Sequence, residues 1–147
     1  MRLVVLHTNV IVSAGINPDG PASKLVFDWV LEGAVHIVTC PAVVNEYRQV
    51  MRRSKFALDD NPPPWVEFLI EENMRLPDPP PWRHARENAG DFVFLALASV
   101  SGAWLVTGNP GHYPTGVRGD TVVLSPAGYR RHLLRTAAPA ESQYRGV

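Results

Sequence analysis

The sequence predicts an α/β fold: a three-layer α/β/α sandwich around a central, mainly parallel sheet of four to five strands. Three observations predict it. Short apolar runs rich in β-branched residues occur at 3–6, 35–39, 104–107 and 121–124, the pattern of strands buried on both faces. Longer stretches with apolar residues at helical spacing lie between them. Turn-forming Gly, Pro and Asn separate the two kinds of segment, and alternating strands and helices close into a parallel sheet covered on both sides.

Each element follows from its residues. Leu3-Val4-Val5-Leu6 reads as the first buried strand. Asn17-Pro18-Asp19-Gly20-Pro21 is a loop by turn chemistry. Over 22–31, Leu25, Val26, Trp29 and Val30 recur at helical spacing, and Gly33 suits a helix stop. The second strand covers 35–39. Pro41 fits the first turn of a helix whose apolar stripe is Val43, Val44, Tyr47, Val50 and Met51. After Asp59-Asp60-Asn61 and three prolines, residues 65–74 form another amphipathic helix, with Trp65, Phe68, Leu69 and Ile70. The connector 77–82 holds three consecutive prolines, Pro79, Pro80 and Pro81, and cannot be helix interior. Asp91 then opens an apolar helix over 92–100, where an aspartate suits the N-terminus. The third strand is 104–107, followed by the turn Gly108-Asn109-Pro110-Gly111, and the fourth is 121–124. Ser125-Pro126 is an N-cap with proline at the first helical position, and the last helix is expected to end near Arg135. The expectation is one domain over 1–136, with 137–147 a frayed tail that has little to bury.

Composition bounds the function. The 147 residues suit one core. Apolar runs fall far short of the roughly 20 residues that cross a bilayer, and the N-terminus lacks a signal-peptide pattern. Cys40 is the only cysteine, so no internal disulfide can form, and a reducing cytoplasm is the expected location, with no membrane partner. Among apolar neighbours, Cys40 reads as a buried thiol. The net charge of zero argues against gripping long nucleic acid through phosphates alone. Cations still cluster at Arg48, Arg52, Arg53 and Lys55, and at Arg118, Arg130, Arg131 and Arg135; Asp59, Asp60, Glu67, Glu71 and Glu72 fall between them. These read as solvated faces more readily than as an RNA-binding strip.

In parallel sheets, ligands bind beyond the carboxyl ends of the strands. His7-Thr8-Asn9 follows the first strand, Gly108-Asn109 the third; Glu46 lies one to two turns into the helix after the second, and Asp91 starts the helix before the third. The topology would gather all four points at one edge. Taken singly, each has a plainer reading: Glu46 a solvated charge, Asp91 a helix cap, Thr8 and Asn9 closing a turn by side-chain to backbone bonds, and His112 a structural neighbour of Tyr113 and Pro114. His36, His84 and His132 are scattered.

Four strings shift that balance: residues 5–14 (VLHTNVIVSA), 41–48 (PAVVNEYR), 91–98 (DFVFLALA) and 106–114 (VTGNPGHYP). Together, in this order, they resemble the signature segments of the PIN-domain ribonucleases, best those of the VapC-like toxins of bacterial toxin–antitoxin systems. The resemblance implies divalent-metal-dependent RNA cleavage by clustered carboxylates, with Mg²⁺ or Mn²⁺ as cofactor, RNA as substrate, an antitoxin as protein partner and a homodimer. Carried over, Glu46 and Asp91 match acidic positions, and Asn109 stands where many members have an acid. Asn88 stands where an extra aspartate is common. Thr8, Asn9, Thr107 and His112 fall where residues shape the site. His7 stands at the first and most characteristic aspartate, and there this sequence departs from the pattern.

Carboxylates suit the implied chemistry because Mg²⁺ is a hard cation that takes oxygen ligands and can activate a water beside a phosphodiester. Asparagine lends a carbonyl oxygen but no charge. Histidine offers a nitrogen, which favours Zn²⁺ or Mn²⁺ over Mg²⁺, and its cationic form at low pH repels a metal. The expectation is a metal-dependent endoribonuclease impaired at His7. A non-catalytic RNA- or protein-binding domain of the same fold is the alternative. A flavodoxin-like or receiver domain shares the architecture, but no phosphate-binding glycine loop and no acidic pair after the first strand support it.

Overall fold

The computed structural model describes residues 1–53, 63–83 and 89–145, with side chains for 92–137 of the last segment. Its centre is β1 (Leu3–Leu6), followed by helix α1 (Thr8–Ile16) and α2 (Pro21–Leu25), which runs on as a π-helical segment over Val26–Val30. Then come β2 (His36–Thr39), α3 (Pro41–Met51), α4 (Pro64–Glu71), β3 (Met74–Arg75), α5 (Ala89–Ser101), β4 (Trp104–Val106), β5 (Val123–Leu124) and α6 (Pro126–Arg145). Two single 3-10 turns, Pro110–His112 and Thr115–Val117, lie between β4 and β5.

Among the described residues the sheet has five strands in the order β3-β2-β1-β4-β5, every pair parallel. Val4 and Val5 of β1 pair with Trp104 and Leu105 of β4, while Leu3 and Val4 pair with His36 and Ile37 of β2. Val4, Val5 and Leu6 are all fully buried. Since successive side chains point to opposite faces, the sheet must be covered on both. Helix α5 packs on β1, β2 and β4, and α1 packs against α2 and α3. The expected α/β sandwich with a parallel sheet is the observed one. The chain leaves β1 toward β2 on one side and reaches β4 on the other, so the carboxyl ends of β1 and β4 border a topological switch point, where such sheets form a crevice.

Several elements differ from the sequence pattern, each for a local reason. Residues 8–16 form a helix that the β-branched string Asn9-Val10-Ile11-Val12 does not advertise. Its burial of Val10, Ile11 and Ala14 overrides weak intrinsic propensity. The helix expected over 65–74 ends at Glu71, where Asn73 Nδ2 donates to the Leu69 carbonyl at 2.7 Å and Asn73 Oδ1 accepts from Ile37 N–H at 3.0 Å. Those bonds turn the chain so that Met74 and Arg75 pair with Val38 and Thr39 as an edge strand. Helix α5 begins at Ala89, which makes Asp91 its third residue, in the first turn and not at the cap. Helix α6 continues past Arg135 to Arg145, so residues 137–145, expected as a tail, extend it. Asn88, His84, Lys55, Asp59 and Asp60 lie outside the described residues.

Candidate functional site

The site grows from the first residue after β1. His7 N–H donates to the Val106 carbonyl at 2.9 Å, which carries the β1–β4 ladder one residue beyond the strand. His7 then caps α1: its ring Nδ1 accepts the Asn9 N–H at 3.1 Å. A ring nitrogen that accepts a hydrogen bond carries no proton, so the neutral ring bears its proton on Nε2. The ring packs on Phe94 of α5, centroids 4.5 Å apart, and meets Tyr113 edge-on at 6.3 Å.

Asn9 does not close its own turn. Its side chain crosses to the loop after β4, where Nδ2 donates to Thr107 Oγ1 at 3.3 Å and Oδ1 accepts the Gly108 N–H at 2.9 Å. Thr107 Oγ1 also accepts the Asn109 N–H at 3.3 Å. Thr107 is buried, so this hydroxyl fixes both loops from within. A side chain at Gly108 would set its Cβ 3.3 Å from the Asn9 amide, tighter than ordinary van der Waals contact; the close approach favours glycine there. Thr8 makes none of the turn-closing bonds expected of it. It is 3% exposed, and its hydroxyl oxygen has no partner among the described residues.

The loop beyond Asn109 is clamped by a residue that the sequence marks only as part of a cation cluster. Arg118 Nε donates to the Tyr113 carbonyl at 2.6 Å and Nη2 to the Pro110 carbonyl at 3.1 Å. Tyr113 is fully buried and stands edge-on to Phe92 and His112. Trp82 Nε1 holds the next turn through the Val117 carbonyl at 2.8 Å. Nothing in the spacing of Arg118 marks it. Phe94 was visible only as part of an apolar helix.

His7, Asn9, Thr107, Asn109 and His112 line one cavity of about 210 Å³ at the strand ends. Five of the sequence-predicted residues therefore come together. Glu46 does not join that lining. It is half-buried on α3, next to Tyr47, whose hydroxyl donates to the Leu6 carbonyl just ahead of His7. Tyr47 is fully buried, and burial pushes its phenol well above the ordinary value. Asp91 sits in the first turn of α5, with its side chain outside the described set.

The chemistry of these donors decides whether a metal fits. Mg²⁺ wants several oxygen ligands in near-octahedral array, with carboxylates to offset its charge. The described lining offers imidazole, amide and hydroxyl groups. His7 spends Nδ1 on the cap and has N–H, not a lone pair, at Nε2. Among the described residues no three His, Cys, Asp or Glu side chains group around a common point. The described donor set does not fit Mg²⁺ or Mn²⁺.

One arginine of each basic cluster is engaged within the fold. Arg48 forms a two-pronged pair with Glu67, Nε to Oε1 at 2.9 Å and Nη2 to Oε2 at 2.7 Å. That hydrogen-bonded pairing holds the Glu67 carboxyl below its ordinary range and raises Arg48. Arg118 is the loop clamp just described. Cys40 is a buried free thiol, raised chiefly by burial. Asp78, from the proline-rich connector, accepts the Ala42 N–H at 2.9 Å and so caps α3 from outside.

A parallel α/β sheet with a polar crevice at its switch point defines a class of protein built around a ligand site at the strand ends. The chain matches the family described as PIN domain over residues 3–110, and it belongs to that family. Similar solved structures include FitAB bound to an IR36 DNA fragment, 21% identical with a TM-score of 0.50, covering 84% of this chain and 94% of that one. FitAcB from Neisseria gonorrhoeae is 19% identical with a TM-score of 0.48, covering 84% and 97%. The likeness to FitAB bears on the fold alone. No curated protein matches.

Proposed function

We propose that this chain is a toxin-type PIN endoribonuclease whose metal-dependent activity is impaired at position 7, acting on RNA in the cytoplasm as a homodimer with an antitoxin as protein partner. Membership of the PIN domain family supports the nuclease reading, and the four strings of toxin-like signature support the toxin, the antitoxin and the homodimer. The single observation that carries the impairment is the bond from Asn9 N–H to His7 Nδ1. A histidine used as a helix cap cannot at the same time present that nitrogen to a cation. An aspartate in its place has two oxygens: one can cap α1 while the other faces a metal beside Glu46 and Asp91, the remaining acidic positions.

The test is RNA cleavage by the chain as written and by His7→Asp, each with Mg²⁺, with Mn²⁺ and with EDTA. His7→Asp is expected to cut only with metal, and at least roughly 100-fold faster than the histidine form, the scale on which metal-site changes act. Metal-dependent cutting by the histidine form at a similar rate would overturn the reading. The second reading, a non-catalytic RNA- or protein-binding domain, is favoured by the cavity lining, which among the described residues has imidazole and amide groups but no carboxylate. It stands if neither form cuts while both bind RNA.

A further inference from the structure

Gly108 stands between two cavities. One is the 210 Å³ cavity already described, lined by its chain neighbours Thr107 and Asn109. The other, of about 360 Å³, lies between the end of α1, the start of α2 and the start of α6, and Gly108 forms part of its wall. Its size falls in the ordinary range for small-ligand sites, about 300–1,000 Å³. Its walls are mostly apolar, with Ile16, Pro21 and Pro126 among them, and Ser13 and Asn17 add hydroxyl and amide groups. No charged side chain lines it among the described residues. Ile16 is 61% exposed at the last position of α1, so an apolar side chain stands in water at the cavity's edge.

These features select a ligand. An uncharged lining gives nothing to a phosphate, which calls for cations or converging N–H groups. An apolar slot with the Asn17 amide and the Ser13 and Ser125 hydroxyls suits a flat, uncharged heterocycle, whose faces pack on apolar side chains while its edge exchanges donors and acceptors. The position completes the argument. Asn9 lines the strand-end cavity and Gly108 the second one, and the two residues are bonded, with Oδ1 to N at 2.9 Å. A strand with its phosphate at the His7–Asn109 side would carry its next base across Gly108.

We propose that this second cavity binds one nucleobase of single-stranded RNA, adjacent to the phosphate at the strand-end cavity, and that it selects the RNA sequence. The inference rests on RNA being the ligand of this chain, as proposed above. Ile16 and Pro126 act as packing surfaces, and Asn17 and Ser13 as the edge that distinguishes bases.

The test uses the full chain in EDTA and hexaribonucleotides of A, C or U, alongside the same hexamers with one abasic position moved along the strand. Binding is read by fluorescence anisotropy. One base is expected to bind about tenfold more tightly than its abasic counterpart at a single position, the scale of stacking one base. Ala127→Phe, which fills the cavity, is expected to remove that difference while the weaker, base-independent binding stays. Ile16→Ser, at an exposed position, is expected to reduce it without loss of folded signal by circular dichroism. Abasic and intact hexamers binding within twofold of each other would overturn the subsite alone, since RNA binding would still stand. A base preference that survives Ala127→Phe and Ile16→Ser would overturn it too. If no hexamer binds at all, the subsite and the RNA reading fall together.

Discussion

At the ends of β1 and β4, Asn9, Thr107 and Gly108 hold one another through uncharged hydrogen bonds of 2.9–3.3 Å, centred on a buried threonine. Between α3 and α4, Arg48 and Glu67 make shorter, charged bonds of 2.7 and 2.9 Å, but their side chains are 39% and 36% exposed. Water and salt screen the second pair, and holding two long side chains costs entropy, so its net worth is small despite the better distances. The first group spans 99 residues of sequence and joins the two loops of the crevice. Short contacts mark where charge is; buried neutral ones mark where geometry is set.

Three substitutions would break or sharpen that contrast. Asn9→Ala removes both side-chain bonds and is expected to destabilise the fold by about 2 kcal/mol, at roughly 1 kcal/mol for each bond, read as a shifted denaturation midpoint. Thr8→Val should run the other way. It replaces a buried hydroxyl without a partner among the described residues and is expected to raise stability by about 1 kcal/mol; a loss of that size would mean the hydroxyl is bonded after all. Glu67→Gln is expected to cost the least, about 0.5 kcal/mol at neutral pH and less in high salt. Because pairing lowers the folded value of Glu67, its contribution is present above the ordinary carboxylate range and fades as pH falls through the lowered value. In the glutamine form that part of the acid dependence should vanish. If Glu67→Gln cost more than Asn9→Ala, the contrast would be reversed.

The fold was legible because a parallel sheet writes itself as uninterrupted apolar runs: β1, β2, β4 and β5 all fall within segments of that kind. What escaped was what tertiary contacts impose. Helix α1 has a string of β-branched residues, and only its burial against α2 and α3 makes it helical. Strand β3 is two exposed residues that become a strand because Asn73 turns the chain beside β2. At the site, His7, Asn9 and Asn109 follow from their place after strands, Thr107 and His112 from the PIN-like string 106–114, and the five share one cavity. Glu46 is drawn to the same edge by its helix position and by the PIN-like string 41–48, and the side-chain direction of one helical residue is not written in its spacing. Arg118 escaped because its work is to bind carbonyls of its own loop, which any nearby arginine could do.

The bond between Asn9 and Gly108 bears also on the birth of the molecule. The strand at the middle of the sheet is the first to leave the ribosome, yet its partner β4 emerges about a hundred residues later. At roughly 5–20 residues per second, several seconds pass before the Asn9 side chain can meet Thr107 and Gly108. The crevice therefore closes only once β4 and the loop behind it have emerged, and a nascent fragment that lacks them carries no assembled crevice.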